Sequence, residues 1–188
     1  MSEILLPEFQ AFPKISRRNR VVIITEKIDG TNGIVHIGET GIVTAGSRTR
    51  WITPEKDNMG FAAWVASNAE ELRKLGAGYH FGEWWGQGIQ RRYGMTEKRF
   101  SLFNVGRWSN PDVRPACCHV VPVIGSGFEK DGIIDACLHK LIAGGSLAAP
   151  GFLQPEGIVV FHTASQSMQK VTIEKDAEPK GQSAEAAQ

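Results

Sequence analysis

At 188 residues, 41% hydrophobic and 22% charged, the chain has the balance of a soluble globular protein, not a disordered one, with room for one domain and a real core. Its formal net charge of +1 argues against a protein that coats nucleic acid by bulk charge, although a local basic patch stays open. Cys117, Cys118 and Cys137 form no C-x-x-C pair, the histidines are scattered, and no apolar run reaches spanning length. A disulfide framework, an ordinary zinc cluster and a transmembrane helix are thereby excluded. No basic-then-apolar signal pattern opens the chain, so a cytoplasmic location is expected.

Residues 1–19 read as a lead-in that packs partly through Phe9 and Phe12, with a basic cluster at Arg17, Arg18 and Arg20 that is most often a solvated turn. Val21 to Ile24 is apolar and β-branched, which predicts a strand. Asp29-Gly30 signals a tight turn, and Gly33 to Gly38 reads as the returning strand of a hairpin. Ile42 to Ala45 makes a third strand, after which Gly46 to Trp51 leaves the sheet. Helical spacing of Phe61, Trp64, Val65, Leu72 and Leu75 predicts one helix over 57–75, capped by Asp57 or Asn58 and ended by Gly76. Further strands are expected at 79–85, 100–108 and 119–124, a second helix at 131–143, and a final strand pair at 157–162 and 168–174. Strands outnumber helices, so the expected class is α+β with largely antiparallel sheets. The expected organisation is a single domain over 1–175, a flexible polar tail over 176–188, and no further C-terminal domain.

Lys27 sits where the first strand meets the Asp-Gly turn, in Glu26-Lys27-Ile28-Asp29-Gly30-Thr31-Asn32-Gly33. That position holds an amine at the mouth of a cleft. A neutral lysine is a nucleophile toward carbonyl carbon or phosphorus. A lone lysine beside Asp-Gly is ordinarily just a surface residue, so the weight falls on the rest of the chain. Arg48 follows in Gly46-Ser47-Arg48, then Gly82-Glu83-Trp84-Trp85-Gly86-Gln87-Gly88-Ile89-Gln90. Next come Phe100-Ser101-Leu102-Phe103-Asn104, Pro155-Glu156-Gly157-Ile158-Val159 and Met168-Gln169-Lys170-Val171-Thr172.

In order and spacing these six stretches resemble the covalent nucleotidyltransferase superfamily, and within it the ATP-dependent RNA ligase family typified by the second RNA ligase of phage T4. The resemblance covers roughly Glu26 to Glu174. It implies an adenylation domain in which two antiparallel sheets form an ATP cleft. It also implies that Lys27 attacks the α-phosphorus of ATP and forms a lysine–AMP phosphoramidate, with Lys170 against the α-phosphate. A charged ammonium cannot attack; Lys170 and a divalent cation, Mg²⁺ or Mn²⁺, would favour the neutral amine by like-charge repulsion. By the same resemblance Phe103 stacks on adenine, Glu83 accepts from the ribose hydroxyls and Glu156 binds or orients the metal. Asn32 and Arg48 contact ribose, phosphate or a nucleic-acid end, and Glu26 reaches adenine through its backbone.

Each residue also has an ordinary reading. Glu83 and Glu156 are strand-end carboxylates, Phe103, Trp84 and Trp85 are packing residues, and Arg91, Arg92, Lys98 and Arg99 are solvated charge. Relatives commonly carry two lysines one residue apart on the last strand. Here Met168 and Thr172 flank Lys170 at those places, so one lysine is missing or is replaced by Lys175. The expected activity is RNA ligation: AMP passes from Lys27 to a 5′-phosphate, and a 3′-OH then seals. A DNA ligase or capping-type enzyme is the same-class alternative. A nucleotide- or RNA-binding module without catalysis is the other. RNA or nicked RNA/DNA ends and ATP are the expected partners, with no membrane.

Overall fold

The computed structural model describes residues 8–174. The strands are β1 (Val21–Lys27), β2 (Thr31–Ile37), β3 (Val43–Gly46), β4 (Trp51–Ile52), β5 (Gly78–Gly86), β6 (Lys98–Leu102), β7 (His119–Val120), β8 (Val123–Phe128), β9 (Gly157–His162) and β10 (Ser167–Thr172). They make a four-stranded sheet in the order β10-β9-β1-β8 and a six-stranded sheet in the order β4-β3-β2-β5-β6-β7. Every pairing within these sheets is antiparallel except β6 with β7. The α+β class with two largely antiparallel sheets is therefore as expected.

The expected hairpin does not form. β1 and β2 belong to different sheets, so Ile28 to Gly30 is a crossing between sheets. Asp29 bonds Tyr93 and Arg91 and not its own backbone, and β1 takes its partners from far along the chain: Lys27 lies opposite Gly157, and Thr25 lies opposite Val159 and Val123. A crossing at this point places Lys27 in the seam between the two sheets. Glycine is required at position 30, where an added Cβ would lie 2.5 Å from the Trp84 carbonyl oxygen and 2.8 Å from the Trp85 Cβ.

Other expectations change in detail. The helix over 57–75 is divided into α1 (Phe61–Ser67), α2 (Ala69–Leu72) and a 3-10 turn at Arg73–Leu75. The division falls at Asn68, whose side chain donates to the Trp64 carbonyl at 2.8 Å and competes with the helical ladder. Asp57 does cap the start, its carboxylate accepting from the amides of Ala62 and Ala63, and Gly76 ends the run with φ 81°. The strand expected over 100–108 stops at Leu102, because Asn104 caps a short helix, α3 (Val105–Trp108), by accepting from the Arg107 amide at 3.1 Å. The strand expected over 119–124 is two strands, β7 and β8, one in each sheet. Trp51 does not leave the sheet but returns as β4 against β3. The lead-in does not pack through Phe9 and Phe12, which are 89% and 85% exposed. Lys175 and the 176–188 tail lie outside the described residues.

The core is divided as the sheets are. Phe61, Val65, Leu72 and Leu75 pack with Val35, Ile37, Phe100 and Leu102 on one side of the six-stranded sheet. The fourth helix, α4 (Ile133–Gly144), lays Cys137 and Leu141 on Val22, Ile24, Ile158 and Val160 of the smaller sheet. A third cluster of Ile28, Trp85, Tyr93, Val121 and Ala149 lies under the crossing. No helix among the described residues is long and apolar enough to cross a membrane.

Candidate active site

Alternation along β1 sends Val22, Ile24 and Glu26 toward α4 and Ile23, Thr25 and Lys27 to the other face. The register carries the same division to β9 and β10, so Lys170, opposite Val159, shares the face of Lys27. The two lysines are two strands and two residues apart, about 12 Å between Cα atoms at ordinary strand spacings. Lys170 is exposed.

Lys27 Nζ meets Glu156 Oε2 at 2.5 Å, both side chains mostly screened from water. Glu156 Oε2 has no other hydrogen-bond donor among the described residues. Glu156 immediately precedes β9, where Gly157 faces Lys27 across the ladder, so the ion pair follows from the register. Glu83 closes the other side. It lies on β5 opposite Asn32 of β2. Its Oε1 accepts from the Gly30 amide at 3.0 Å and its Oε2 from Asn32 Nδ2 at 3.2 Å. Four of the expected residues, Lys27, Asn32, Glu83 and Glu156, are thus brought together, and Lys170 lies on the same sheet face as Lys27.

Burial pushes the Glu83 carboxyl from its ordinary 4.5 up to about 7, the Lys27 charge and the Gly30 amide pulling it part of the way back while Glu156 and Asp29 push it further up. The folded chain therefore binds a proton here that the unfolded chain releases, between about pH 4.5 and 7, and stability falls as pH rises through that window. At 1.36 kcal/mol per pKa unit the loss reaches about 3 kcal/mol. Urea unfolding of the native chain and a Glu83→Gln variant at pH 4.5, 6 and 8 should show this fall in the native chain and a much flatter profile in the variant. Parallel profiles would refute it.

The remaining expected residues are placed differently. Glu26 is 1% exposed. Its carboxylate accepts from Ser146 Oγ at 2.6 Å and from the amides of Leu147 and Ala148 at 2.8 and 2.9 Å. Its own amide donates to Pro122 at 2.9 Å. Glu26 thus ties the loop after α4 to the lysine strand. Phe103 is half-buried against the third cluster, and its amide donates to the Phe81 carbonyl at 2.9 Å. Arg48 is exposed on the turn between β3 and β4. Trp84 and Trp85 are core residues, as expected, their indoles donating to Met59 O and Ser101 Oγ.

Arg91 is the residue that sequence reasoning missed. Instead of solvated charge it is a clamp: Nε lies 3.2 Å from Asp29 Oδ2, Nη1 donates to Gln154 O at 3.2 Å, and Nη2 lies 3.6 Å from Glu174. It binds the crossing after Lys27 to the segment that delivers Glu156. Beside it, buried Tyr93 accepts the Asp29 amide at 2.7 Å. Gln90, Arg92 and Tyr93 all adopt left-handed backbone, at φ 43°, 60° and 51°. Non-glycine residues hold such angles only when their surroundings impose them. The one signal available was Gly86-Gln87-Gly88, which marks a loop but not its contacts.

Among the described residues no group of three or more His, Cys, Asp or Glu could hold a metal ion. Glu156, whose Oε2 meets only the Lys27 ammonium, is the carboxylate that fits Mg²⁺ or Mn²⁺, which keep several waters and bind through one or two carboxylates plus substrate phosphates. A cavity of about 470 Å³ lies elsewhere, on the far face of the small sheet beside Arg17, Arg18 and His162, and contains none of the expected residues.

The two largely antiparallel sheets, with Lys27 at the crossing between them, make the fold of an RNA ligase. The chain belongs to the RNA ligase family, whose family model matches residues 20–174. It is similar in fold to an RNA ligase mutant of Naegleria gruberi solved with ATP and Mn, at TM-score 0.60 and 17% identity over 82% of this chain and 49% of that one. Another mutant of that ligase, with AMP and Mn, matches at TM-score 0.58 and 16% identity over 89% and 57%. The chain therefore spans about half the length of these structures. No curated protein matches it.

Proposed function

We propose that this chain is the adenylylating core of an ATP-dependent RNA ligase. The observation that carries the reading is Lys27, held in the seam between the sheets 2.5 Å from Glu156 and beside Glu83. A lysine presented by a strand end, screened from bulk water and already paired with a carboxylate, has the placement a covalent nucleophile needs.

The Lys27 ammonium first passes its proton to solvent water and leaves its pair with Glu156. Its lone pair then attacks the α-phosphorus of ATP, a P–N bond forms and the bond to pyrophosphate breaks. Lys170, on the same face, meets the charge that develops on the phosphate oxygens. A divalent cation held through Glu156 would supply charge that neutralises the triphosphate and favours the neutral amine. Glu83 and Asn32 orient the ribose, Phe103 lies along the adenine, and Arg48 offers a fork for phosphate. AMP next moves from Lys27 to a 5′-phosphate, and the 3′-OH of the other strand displaces it as the two ends join. Glu26 and Arg91 hold the crossing and its loops in place.

The second reading is a nucleotide-binding module without catalysis. It rests on Lys170 being the single lysine of β10. Incubation with 5′-phosphorylated RNA, ATP and Mg²⁺ separates the two. The ligase gives a 5′-adenylylated strand and a sealed product, and GTP does not replace ATP. Nucleotide binding with neither product would establish the module.

A further inference from the structure

The cleft-facing side of the six-stranded sheet carries side chains that adenylylation does not use. Along β5, His80, Gly82 and Trp84 point into the core, while Tyr79, Phe81 and Glu83 point the other way. Asn32, Ile34 and His36 of β2 lie directly opposite Glu83, Phe81 and Tyr79. Trp51 of β4 reaches the same face: a Cβ added to Gly46 would lie between the Trp51 ring and the Ile34 Cβ. A row of rings thus leads away from the candidate active site. Trp51 and Tyr79 have centroids 6.2 Å apart with planes 29° apart; Tyr79 and Phe81 are also 6.2 Å apart, at 12°. His36 fills the space between Trp51 and Tyr79 at 5.8 and 4.5 Å.

These rings are not core. Trp51, Tyr79 and Phe81 are 52%, 57% and 52% exposed. Three half-exposed aromatic side chains in one patch mark an interaction surface. Arg48 and Arg50 precede Trp51 on the β3–β4 turn, both exposed and without an ion-pair partner among the described residues. Near-parallel rings bordered by free guanidinium groups match a ligand of flat faces strung on an anionic backbone. The row also begins two residues from Glu83 on the same strand face, so a ligand lying on it ends at the active site.

We infer that this face is a stacking platform for a single-stranded segment of the RNA substrate, with bases on Trp51 and Tyr79 and backbone phosphates on Arg48 and Arg50. The inference rests on the RNA ligase reading for its ligand and adds where the strand lies. Sequence preference is weak on such a platform, because every base offers a flat face.

The test is fluorescence anisotropy with a labelled single-stranded RNA blocked at both ends, at one fixed salt concentration. The proteins are the native chain, Trp51→Ala, Tyr79→Ala, the double variant and Trp51→Phe. Each alanine should weaken binding about tenfold, a loss in the range for one base–aromatic stack. The double variant should lose more, and Trp51→Phe should stay near native. All five are also read by mass for the AMP adduct, which the variants should form as the native chain does. Native-like RNA affinity in the double variant, with its adduct intact, would overturn the platform. So would a native dimer that the alanines dissociate without changing RNA affinity, since the face would then belong to a second copy of the chain. An adduct missing from the native chain would refute the ligase reading alone; RNA binding that still depends on Trp51 and Tyr79 would support the platform.

Discussion

Lys27→Arg is expected to abolish ATP-dependent sealing while sparing the sealing of RNA that already carries a 5′-adenylyl group. Arginine keeps a cation beside Glu156, so the screened carboxylate is not left uncompensated, as it would be in Lys27→Ala. It has no lone pair to offer phosphorus at neutral pH. Adduct formation and AMP transfer should fall by a factor of about 10⁴ or more, the scale on which losing a covalent nucleophile is felt. The third step breaks the bond between AMP and RNA and needs no lysine nucleophile, so its rate should stay within about tenfold of native, as for a change that perturbs positioning alone. Equal loss of both activities would mean that Lys27 supports the fold of the cleft and is not the nucleophile.

Gly157→Ala should be the most damaging small change to the architecture. The added Cβ would overlap the Val171 carbonyl oxygen and come within 2.8 Å of the Thr172 Cα, both of them backbone. Neither can swing aside, as the tip of a flexible side chain could. Gly157 also faces Lys27 across one ladder and Thr172 across the other. The strain must part β9 from β10 and carry Lys170 and Glu156 out of line. A stability loss of about 3 kcal/mol, the upper end for overpacking, is expected together with loss of the adduct. Gly144→Ala is the control. Its Cβ would meet nothing within 4 Å at the end of α4, so it should be neutral or slightly stabilising. Urea unfolding of both variants checks the contrast, and a Gly157→Ala chain as stable as native would contradict it.

How far the sequence could be read depended on the range of the interactions involved. The places of Lys27 and Glu156 were legible because each sits at a strand end beside a glycine-marked break, and that of Glu83, inside β5, because Gly82 and Gly86 bracket it. The identity of the strands was legible for the same reason. Their partners were not. Asp29-Gly30 looks like a hairpin turn, yet β1 pairs with β8 and β9 and leaves β2 to the other sheet. Nothing within ten residues of the turn records that choice. Arg91 was missed because a loop arginine looks the same whether it is solvated or clamping Asp29 to Gln154. The aromatic row was missed because Tyr79-His80-Phe81 alternates in the unexpected sense: His80 is 5% exposed while the flanking rings face water. Glu26 was singled out for its place beside Lys27, but the loop at 146–148 that engages its carboxylate lies 120 residues away and could not be paired with it in advance.

The central claim is that Lys27 becomes covalently adenylylated, and intact mass tests it most directly. The purified chain, stripped of bound nucleotide, is incubated with ATP and Mg²⁺, and its mass is compared with that of Lys27→Arg treated in the same way. The account predicts a gain of one AMP on the native chain, removed by pyrophosphate and absent from the variant. A folded native chain that gains no AMP, or a variant that gains it as readily, would contradict the account.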